Sequence, residues 1–241
     1  MNELKLIFIN LDGTLINGQQ HDLYWLEKIR KLNPELKERN IYLTIATERP
    51  APYAESILQA INGEVPAVCE NGSIVYTPNS DKITVNNLVP KKFEKTINKI
   101  ESLLEKKLTG EYNIKPGREA SISLTPVNVK TPDGLKKLLK GFDVDVIYSK
   151  KSIDIQARAV TKMNGIELIL KKLNVKIENT AGIGSSMNDY KMLEKIGYPC
   201  CPRNAEKRIK ELIELRKGYI SKNDCTEGVY YCIKKYSFIK A

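Results

Sequence analysis

Leu4-Lys5-Leu6-Ile7-Phe8-Ile9-Asn10-Leu11-Asp12-Gly13-Thr14-Leu15 is the stretch from which the fold of this 241-residue chain can be predicted. Its nearly continuous apolar run is typical of a buried strand in a parallel sheet. Asp12-Gly13-Thr14 then supplies an acid, a turn and a hydroxyl group at the carboxyl end of the strand, where open α/β sheets bind ligands. An Asp-Gly pair after a strand is also an ordinary turn, so this stretch alone leaves both interpretations open.

The composition is that of an ordinary globular protein. Hydrophobic residues make up 41% and charged residues 28% of the chain, and its length suffices for one large domain or for a core with a smaller insert. No apolar run approaches the roughly 20 residues of a membrane span, and the first run is too short and badly flanked for a signal peptide. We therefore expect a cytoplasmic protein that does not contact a membrane.

Three compositional features bear on other classes of function, and none of them supports one. The five cysteines include no C-x-x-C pair, which argues against a zinc site. His21 is the only histidine and lies in a polar stretch, which disfavours a Ser-His-Asp mechanism. The net charge of +10 is compatible with nucleic-acid binding. However, the lysines are scattered over polar helix faces with few aromatic residues between them, so we expect a solvated basic surface and no nucleic-acid partner.

The segments that follow the first strand alternate between helix and strand. Leucine and isoleucine at helical spacing predict a helix over 22–38, which Pro34 is expected to kink or divide. Strands are predicted at 41–46 and 67–69, with a helix opened by Pro50 between them. Three strands alternating with helices favour a doubly wound parallel sheet.

The pattern changes near residue 77 and returns after residue 160. A helix over 91–107 and another from Thr131-Pro132 to Gly141 accompany four strand-like stretches, at 111–115, 120–124, 144–148 and 152–156. Adjacent strand pairs with two helices predict an α+β unit. The fold prediction is therefore an α/β protein with a Rossmann-like, doubly wound parallel-sheet core of residues 1–80 and 158–241 and an inserted α+β cap of residues 81–157.

Four separated segments resemble the motifs of the haloacid dehalogenase superfamily, in that superfamily's order. They are Asn10-Leu11-Asp12-Gly13-Thr14, Thr47-x-Arg49, Thr161-Lys162 and Gly184-x-x-x-Asn188-Asp189. Glu70-Asn71-Gly72 and Asn204-Ala205 are similar to signatures of the subgroup with an α/β cap between the second and third motifs. The short cap and Arg118-Glu119-Ala120-Ser121 look most like archaeal-type phosphoglycolate phosphatases.

The resemblance implies a magnesium-dependent phosphatase that acts on a small phosphorylated metabolite, as a monomer or a homodimer. Position 10 would supply the nucleophile and Asp12 the general acid and base. Thr47 would bind the phosphoryl group, and Lys162 would offset its charge. The implied substrate-binding residues are Gly13, Arg49, Asn71, Arg118 and Glu119, with Arg118 as the partner of a distal carboxylate. Magnesium would be held at Asn10, Asp12, Ser185 and Asp189.

Two positions depart from the family pattern. Asn10 stands where the family has its nucleophilic Asp, and Ser185 stands where it has a metal-binding Asp. A neutral amide is a poor nucleophile and a weaker ligand for a hard cation than a carboxylate. An engineered Asp-to-Asn change would explain Asn10 but not Ser185. A decayed site and an active enzyme with a rearranged metal site both remain open.

These departures set our functional expectation. We expect a weakened magnesium site and a phosphoglycolate phosphatase-like hydrolase with impaired or absent turnover. The alternative is a non-catalytic binder of small phosphorylated metabolites. Glu48 is a further departure, because the family usually has glycine there and a glutamate adds negative charge beside the phosphate site.

Overall fold

A five-stranded parallel sheet lies at the centre of the computed structural model, which describes residues 3–17, 21–80, 82–108, 110–127, 133–148 and 152–237. Its strands are β1 (Leu6–Ile9), β2 (Tyr42–Ile45), β10 (Thr180–Ile183), β11 (Tyr198–Cys201) and β12 (Tyr219–Ile220). They lie in the order β12-β11-β10-β1-β2, and every neighbouring pair is parallel. The predicted doubly wound α/β core is thereby confirmed.

β1 is the middle of this sheet and is buried along its whole length. Ile7 and Ile9 pack in one apolar cluster, while Leu6 and Phe8 pack in a second cluster. Successive side chains of a strand point to opposite faces, so both faces of the sheet are covered by apolar layers. Full burial of each such side chain stabilises the fold by roughly 1.5–3 kcal/mol.

Eight helices cover the sheets within the described residues. They are α1 (Leu23–Glu38), α2 (Ala51–Ile61), α3 (Phe93–Lys107), α4 (Asp133–Leu138), α5 (Lys162–Leu173), α6 (Tyr190–Lys195), α7 (Lys207–Leu215) and α8 (Cys225–Ser237). Helices α1, α2 and α8 pack on one face of the parallel sheet, and α5, α6 and α7 pack on the other. No helix among the described residues is long and apolar enough to cross a membrane.

Pro34 does not divide α1, which runs unbroken over 16 residues. Leu32 and Leu36 are buried on either side of the proline, and Asn33 donates from Nδ2 to the carbonyl of Ile61 at 2.9 Å. This tertiary packing outweighs the hydrogen bond that the proline removes. Of the predicted kink or division at Pro34, the division is therefore wrong.

The segment after β2 differs most from the sequence prediction. β3 (Ala67–Cys69) touches the parallel sheet through one parallel bridge, Ala46 to Val68, and then starts an antiparallel ribbon with β4 (Ile74–Thr77) and β5 (Lys82–Val85). The chain reverses between β3 and β4 through a short 3₁₀ turn in which Glu70 and Asn71 have positive φ. β3 agrees with the strand predicted at 67–69, whereas β4 and β5 were not predicted.

A second antiparallel sheet forms the predicted inserted region. Its strands are β6 (Tyr112–Ile114), β7 (Ser121–Pro126), β8 (Val144–Tyr148) and β9 (Ile153–Ala157), in the order β6-β7-β9-β8. All four lie within one or two residues of the predicted stretches. The predicted start of the second insert helix at Thr131-Pro132 lies outside the described residues, and α4 ends at Leu138 rather than at Gly141.

The division into a core of residues 1–80 and 158–241 and a cap of residues 81–157 stays a prediction. The four-stranded sheet falls entirely within the predicted cap, at residues 112–157. β5 also falls within it by number, yet it pairs with β4. The ribbon therefore links the two predicted parts.

Candidate active site

The carboxyl ends of three parallel strands and the start of α5 bring five polar side chains together at one site, hereafter called the pocket. Asn10 follows β1, Thr47 follows β2, and Ser185 and Asp189 follow β10, while Lys162 is the first residue of α5. None of these five residues is more than 5% exposed. Carboxyl ends of adjacent parallel strands share one edge of the sheet, so residues far apart in the sequence become neighbours there.

Both ends of the Asn10 amide are engaged. Its Oδ1 accepts a hydrogen bond from Lys162 Nζ at 3.1 Å. Its Nδ2 lies 3.2 Å from the carbonyl of Asp12, 3.3 Å from Thr14 Oγ1 and 3.2 Å from Asp189 Oδ2. An amide can donate from nitrogen in a way that a carboxylate cannot. Asn10 therefore acts as a connector between the β1 loop and Asp189.

Lys162 and Asp189 form a buried ion pair with an Nζ to Oδ1 distance of 2.7 Å. The two side chains are 2% and 0% exposed. Burial lowers the pKa of the Lys162 ammonium, but the Asp189 and Glu48 carboxylates more than offset this, so its pKa lies above the ordinary 10.5. Lys162 is a fixed cation at the base of the pocket.

The second oxygen of Asp189 fixes the loop that follows β10. Its Oδ2 accepts from the backbone N–H groups of Ser185 at 2.9 Å and Ser186 at 3.1 Å. Gly184 is required for this close approach, because a Cβ there would lie 2.5 Å from the Cβ of Asp189. Both carboxylate oxygens of Asp189 therefore accept hydrogen bonds from groups of the protein itself.

Gly72 has a similar role at the start of α5. A Cβ on Gly72 would lie 2.0 Å from the carbonyl oxygen of Thr161. The missing side chain lets the turn after β3 pack directly on Thr161, whose backbone N–H donates to Asn164 Oδ1 at 2.9 Å and so caps the helix. This contact positions Lys162 over the pocket.

Asp12 lies at the rim and is clamped by Arg49. Arg49 Nε and Nη2 donate to the two carboxylate oxygens, both at 2.6 Å. The guanidinium carbon also lies 4.0 Å from the ring centroid of Tyr53. A bidentate pair of this kind is among the stronger charge-assisted contacts in proteins. Arg49 is thus engaged with Asp12, the group to which the family resemblance gives proton transfer.

Ser185 and Gly13 also contact protein groups. The Ser185 hydroxyl oxygen accepts from Thr14 Oγ1 at 2.8 Å. The backbone carbonyl of Gly13 accepts from Asn204 Nδ2 at 2.8 Å. The predicted residues of the first and fourth segments are thus joined directly to one another.

The loop after β2 places a second acid beside Lys162. Glu48 Oε2 lies 3.7 Å from Lys162 Nζ, and the Glu48 side chain is 17% exposed. Burial raises the pKa of the Glu48 carboxyl; Lys162 lowers it, while Asp12 and Asp189 raise it further. The Thr47 hydroxyl next to it accepts from the Arg49 N–H at 3.0 Å, which leaves its own O–H able to donate into the pocket.

The predicted substrate residues of the insert serve as contacts to the core. Arg118 is 7% exposed, and its Nη1 donates to the Glu48 carbonyl at 2.9 Å and to Ser121 Oγ at 3.0 Å. Its Nη2 lies 3.7 Å from Asp154 Oδ1. The guanidinium is therefore largely committed to the protein.

Asn71 and Glu119 are likewise positioned by neighbouring strands. Asn71 Nδ2 donates to Gln156 Oε1 at 3.1 Å, which ties the turn after β3 to β9. Glu119 contributes its backbone N–H to Glu70 Oε1 at 2.8 Å. The Glu119 side chain is exposed, and no described contact directs it into the pocket.

Lys115, which directly follows β6, has no role predicted from the sequence. The side chain is exposed, yet partial loss of hydration lowers the pKa of its ammonium; Asp154 and Asp12 raise that pKa, and Arg118 and Arg49 lower it. Lys115 therefore lies within electrostatic range of Arg49 and Arg118. No motif marks it, because a lone lysine in a basic chain carries no pattern.

The chain belongs to the haloacid dehalogenase-like hydrolases, whose sequence profile matches residues 7–111 and 130–233. It is 24% identical to a 5-amino-6-(5-phospho-D-ribitylamino)uracil phosphatase of Bacillus subtilis, over 96% of this chain and 95% of that protein. It is 21% identical to a phosphoglycolate phosphatase of Methanothermobacter thermautotrophicus, over 97% and 99%. The lineage is therefore that of a phosphatase, while relatives named for different substrates are similar to about the same degree.

Solved structures agree on the fold. A Thermoplasma acidophilum protein superimposes with a TM-score of 0.79 at 18% identity, covering 99% of this chain and all of the other. The sucrose-phosphatase from Synechocystis, solved in complex with sucrose and phosphate, gives a TM-score of 0.71 at 19% identity over the full length of both chains.

Phosphatases of this family generally use Mg²⁺, and the donor groups of this pocket do not fit that ion. The Asp12 carboxylate is occupied by Arg49, and Asp189 by Lys162 and backbone N–H groups. Asn10 Oδ1 faces the Lys162 ammonium. Among the described residues, no group of three or more His, Cys, Asp or Glu side chains could hold a metal ion. Mg²⁺ requires several hard oxygen donors in octahedral geometry, and here those oxygens already accept from cations and N–H groups.

Proposed function

We propose that this chain is a phosphate monoester hydrolase by lineage whose turnover is impaired, with a phosphoglycolate-like small phosphorylated acid as its ligand. One observation carries the proposal: Asn10 presents an amide, bound to Lys162 and Asp189, at the position of the nucleophile. A neutral amide oxygen that accepts from an ammonium has no free lone pair of carboxylate strength with which to attack phosphorus.

The remaining groups support recognition of a phosphoryl group. Thr47 can donate its O–H, and Lys162 supplies a buried positive charge. Asp12 would transfer a proton to or from the leaving oxygen only after Arg49 released one of its carboxylate oxygens. Hydrolysis therefore lacks its nucleophile and has its proton-transfer group restrained, while binding requires neither.

The phosphoglycolate-like substrate class rests on the charge of the opening as well as on the relatives. Lys115 and Arg118 lie on the insert side, within electrostatic range of Arg49. Lys115 is exposed and has no ion pair among the described residues, whereas Arg118 donates hydrogen bonds to Glu48 and Ser121. We therefore propose Lys115, rather than the predicted Arg118, as the partner of a distal carboxylate.

A second candidate is a non-catalytic binder of such a metabolite. The observation that favours it is the retention of Thr47 and Lys162 at a pocket without a carboxylate at positions 10 and 185. With those charges absent, a phosphate group meets less repulsion when no metal is bound. Measurable binding of phosphoglycolate by calorimetry, with no turnover in the same sample, would favour this candidate.

The test is turnover of phosphoglycolate and of a generic aryl phosphate by the parent and by Asn10→Asp with Ser185→Asp. We expect the parent to be slower by at least about 10³-fold, because a missing nucleophile removes a step that positioning does not replace. Ser186→Asp is a matched control that adds an acid to the same loop without restoring a family position. Intact-mass measurement before each assay excludes deamidation of Asn10.

One result would contradict the proposal. It is robust parent turnover that survives repurification, equals that of the double variant and is abolished by Asp12→Ala. In that case another group in the pocket would be the nucleophile.

A further inference from the structure

Glu48 carries a buried carboxylate oxygen that has no hydrogen-bond partner among the described residues. That oxygen, Oε2, faces the Lys162 ammonium at 3.7 Å, too far for a hydrogen bond but close enough for a strong charge interaction. Buried polar atoms in folded proteins nearly always have a hydrogen-bond partner. An oxygen without one, facing a fixed cation, therefore indicates that a better-fitting anion could replace the Glu48 carboxylate beside Lys162.

The backbone of the Glu48 loop is held on both sides. The Asn71 N–H donates to the Thr47 carbonyl and the Glu70 N–H donates to the Arg49 carbonyl, both at 3.0 Å. Arg118 holds the Glu48 carbonyl itself at 2.9 Å. Only the Glu48 side chain is therefore left free to move, and a change of its rotamer would open the space beside Lys162 without moving the loop.

We propose that the Glu48 carboxylate occupies the anion position beside Thr47 and Lys162, and that a ligand's phosphoryl group binds by displacing it. The inference rests on the proposed phosphate pocket and adds its regulation: Glu48 competes with the ligand from within the chain. Arg49, from the same loop, neutralises the Asp12 carboxylate by donating to both of its oxygens. The loop after β2 thus supplies its own charges to the pocket in place of a bound ligand.

Displacement gives anion binding a defined pH dependence. The groups that face Glu48 are Lys162 from α5, Asp12 after β1, Asp189 after β10 and Arg118 from the insert. Burial raises the pKa of Glu48, so its protonation occurs at a higher pH than for an ordinary glutamate. Protonated Glu48 no longer competes for Lys162, and anion affinity therefore increases as the pH falls.

The experiment is calorimetric titration of sulfate, whose charge stays constant over the pH range, into the parent and three variants. Glu48→Gln should bind sulfate at least about tenfold more tightly than the parent at mildly alkaline pH, equal to about 1.4 kcal/mol. The parent should approach that affinity as the pH is lowered, while Glu48→Gln stays constant. Glu35→Gln, an exposed position on α1, removes the same charge from the surface and should match the parent.

Glu48→Asp separates displacement from simple repulsion. This variant keeps the charge but shortens the side chain, so it should also bind more tightly than the parent if Glu48 must contact Lys162 to compete. An affinity equal to the parent's, with Glu48→Gln tighter, would overturn displacement in favour of repulsion through space. Equal sulfate affinity in the parent and all three variants would overturn the inference while the Asn10 turnover test stands on its own. No sulfate binding by any folded variant would overturn the phosphate pocket as well.

Discussion

Lys162 and Asp189 form an ion pair whose burial is tolerable only because both partners are present. Each charge has lost nearly all of its hydration, at 2% and 0% exposure, and removing one partner leaves the other uncompensated. Asn10 and the Ser185 N–H donate hydrogen bonds to the other carboxylate oxygen of Asp189, Oδ2. The pair therefore stabilises the pocket as a unit.

Lys162→Met should lower the free energy of unfolding by about 3–5 kcal/mol, because Asp189 is left buried and unpaired. Urea denaturation measures this. Lys195→Met is the matched control: its partner Glu167 lies 3.7 Å away and both are half exposed, so a loss within about 1 kcal/mol is expected. Adding Asp189→Asn to Lys162→Met should recover part of the loss.

The pH dependence of this contribution has a definite sign. The pKa of folded Lys162 lies above the ordinary 10.5, so its stabilising effect is complete below that value and is lost as the pH rises through the folded pKa. Lys162 itself stays charged across the neutral range, so any pH dependence there of the stability difference between parent and Lys162→Met reports protonation of Glu48. A difference no larger than the Lys195 control would mean that the pair contributes nothing net.

Among the secondary-structure elements, the turn between β3 and β4 fastens the inserted sheet to the core. Glu70 has a positive φ of 45° in that turn and is 1% exposed. Its carboxylate accepts from the Glu119 N–H at 2.8 Å, the Ala120 N–H at 3.0 Å and the Ser121 hydroxyl at 2.7 Å. One acid thus satisfies three donors at the start of β7, and by doing so it also positions Arg118.

Glu70→Ala should destabilise this junction, since it leaves donors at the start of β7 unpaired at about 1–3 kcal/mol for each buried group. Hydrogen–deuterium exchange of peptides covering 118–124 should become faster, while exchange in β1 and β10 is unchanged. Glu35→Ala on the exposed side of α1 serves as control. Unaltered exchange at 118–124 would show that Asn71 and Arg118 hold the insert without Glu70.

For the whole molecule, the donor groups of the pocket predict that folding does not depend on magnesium. A ligand that binds only the folded protein raises its stability by RT ln(1 + L/Kd), where L is the free ligand concentration. Because Asp12 and Asp189 are already engaged by Arg49 and Lys162, the thermal midpoint of the parent should be the same in Mg²⁺ and in a chelator.

Asn10→Asp with Ser185→Asp should show a midpoint that rises with Mg²⁺, since two hard anionic oxygens return to the pocket. Ca²⁺ and Na⁺ at matched ionic strength control for general screening of the charge of +10. A midpoint of the parent that rises with Mg²⁺ as much as that of the double variant would mean that Glu48 or Asp189 rearranges to serve as a ligand.

Much of the architecture followed from the sequence by itself. The apolar run ending in Asn10 predicted the central strand, and the predicted strands at 67–69 and 144–148 have the observed bounds. Local information suffices there, because a buried parallel strand must be almost wholly apolar and its carboxyl end must carry the polar loop. The grouping of four distant segments into one site came from their resemblance to the family's motifs rather than from strand patterning.

Tertiary structure alone decided which partner each charged group has. Local propensity places Pro34 at a helix break, yet packing of Leu32 and Leu36 keeps α1 whole. In the same way, a lone glutamate in a loop carries no pattern that predicts its contact with Lys162. Charge contacts depend on distance in space, and their strength depends on burial, neither of which is written in spacing along the chain. The residue types were therefore readable from the sequence, whereas the self-neutralised state of the pocket became visible only in the fold.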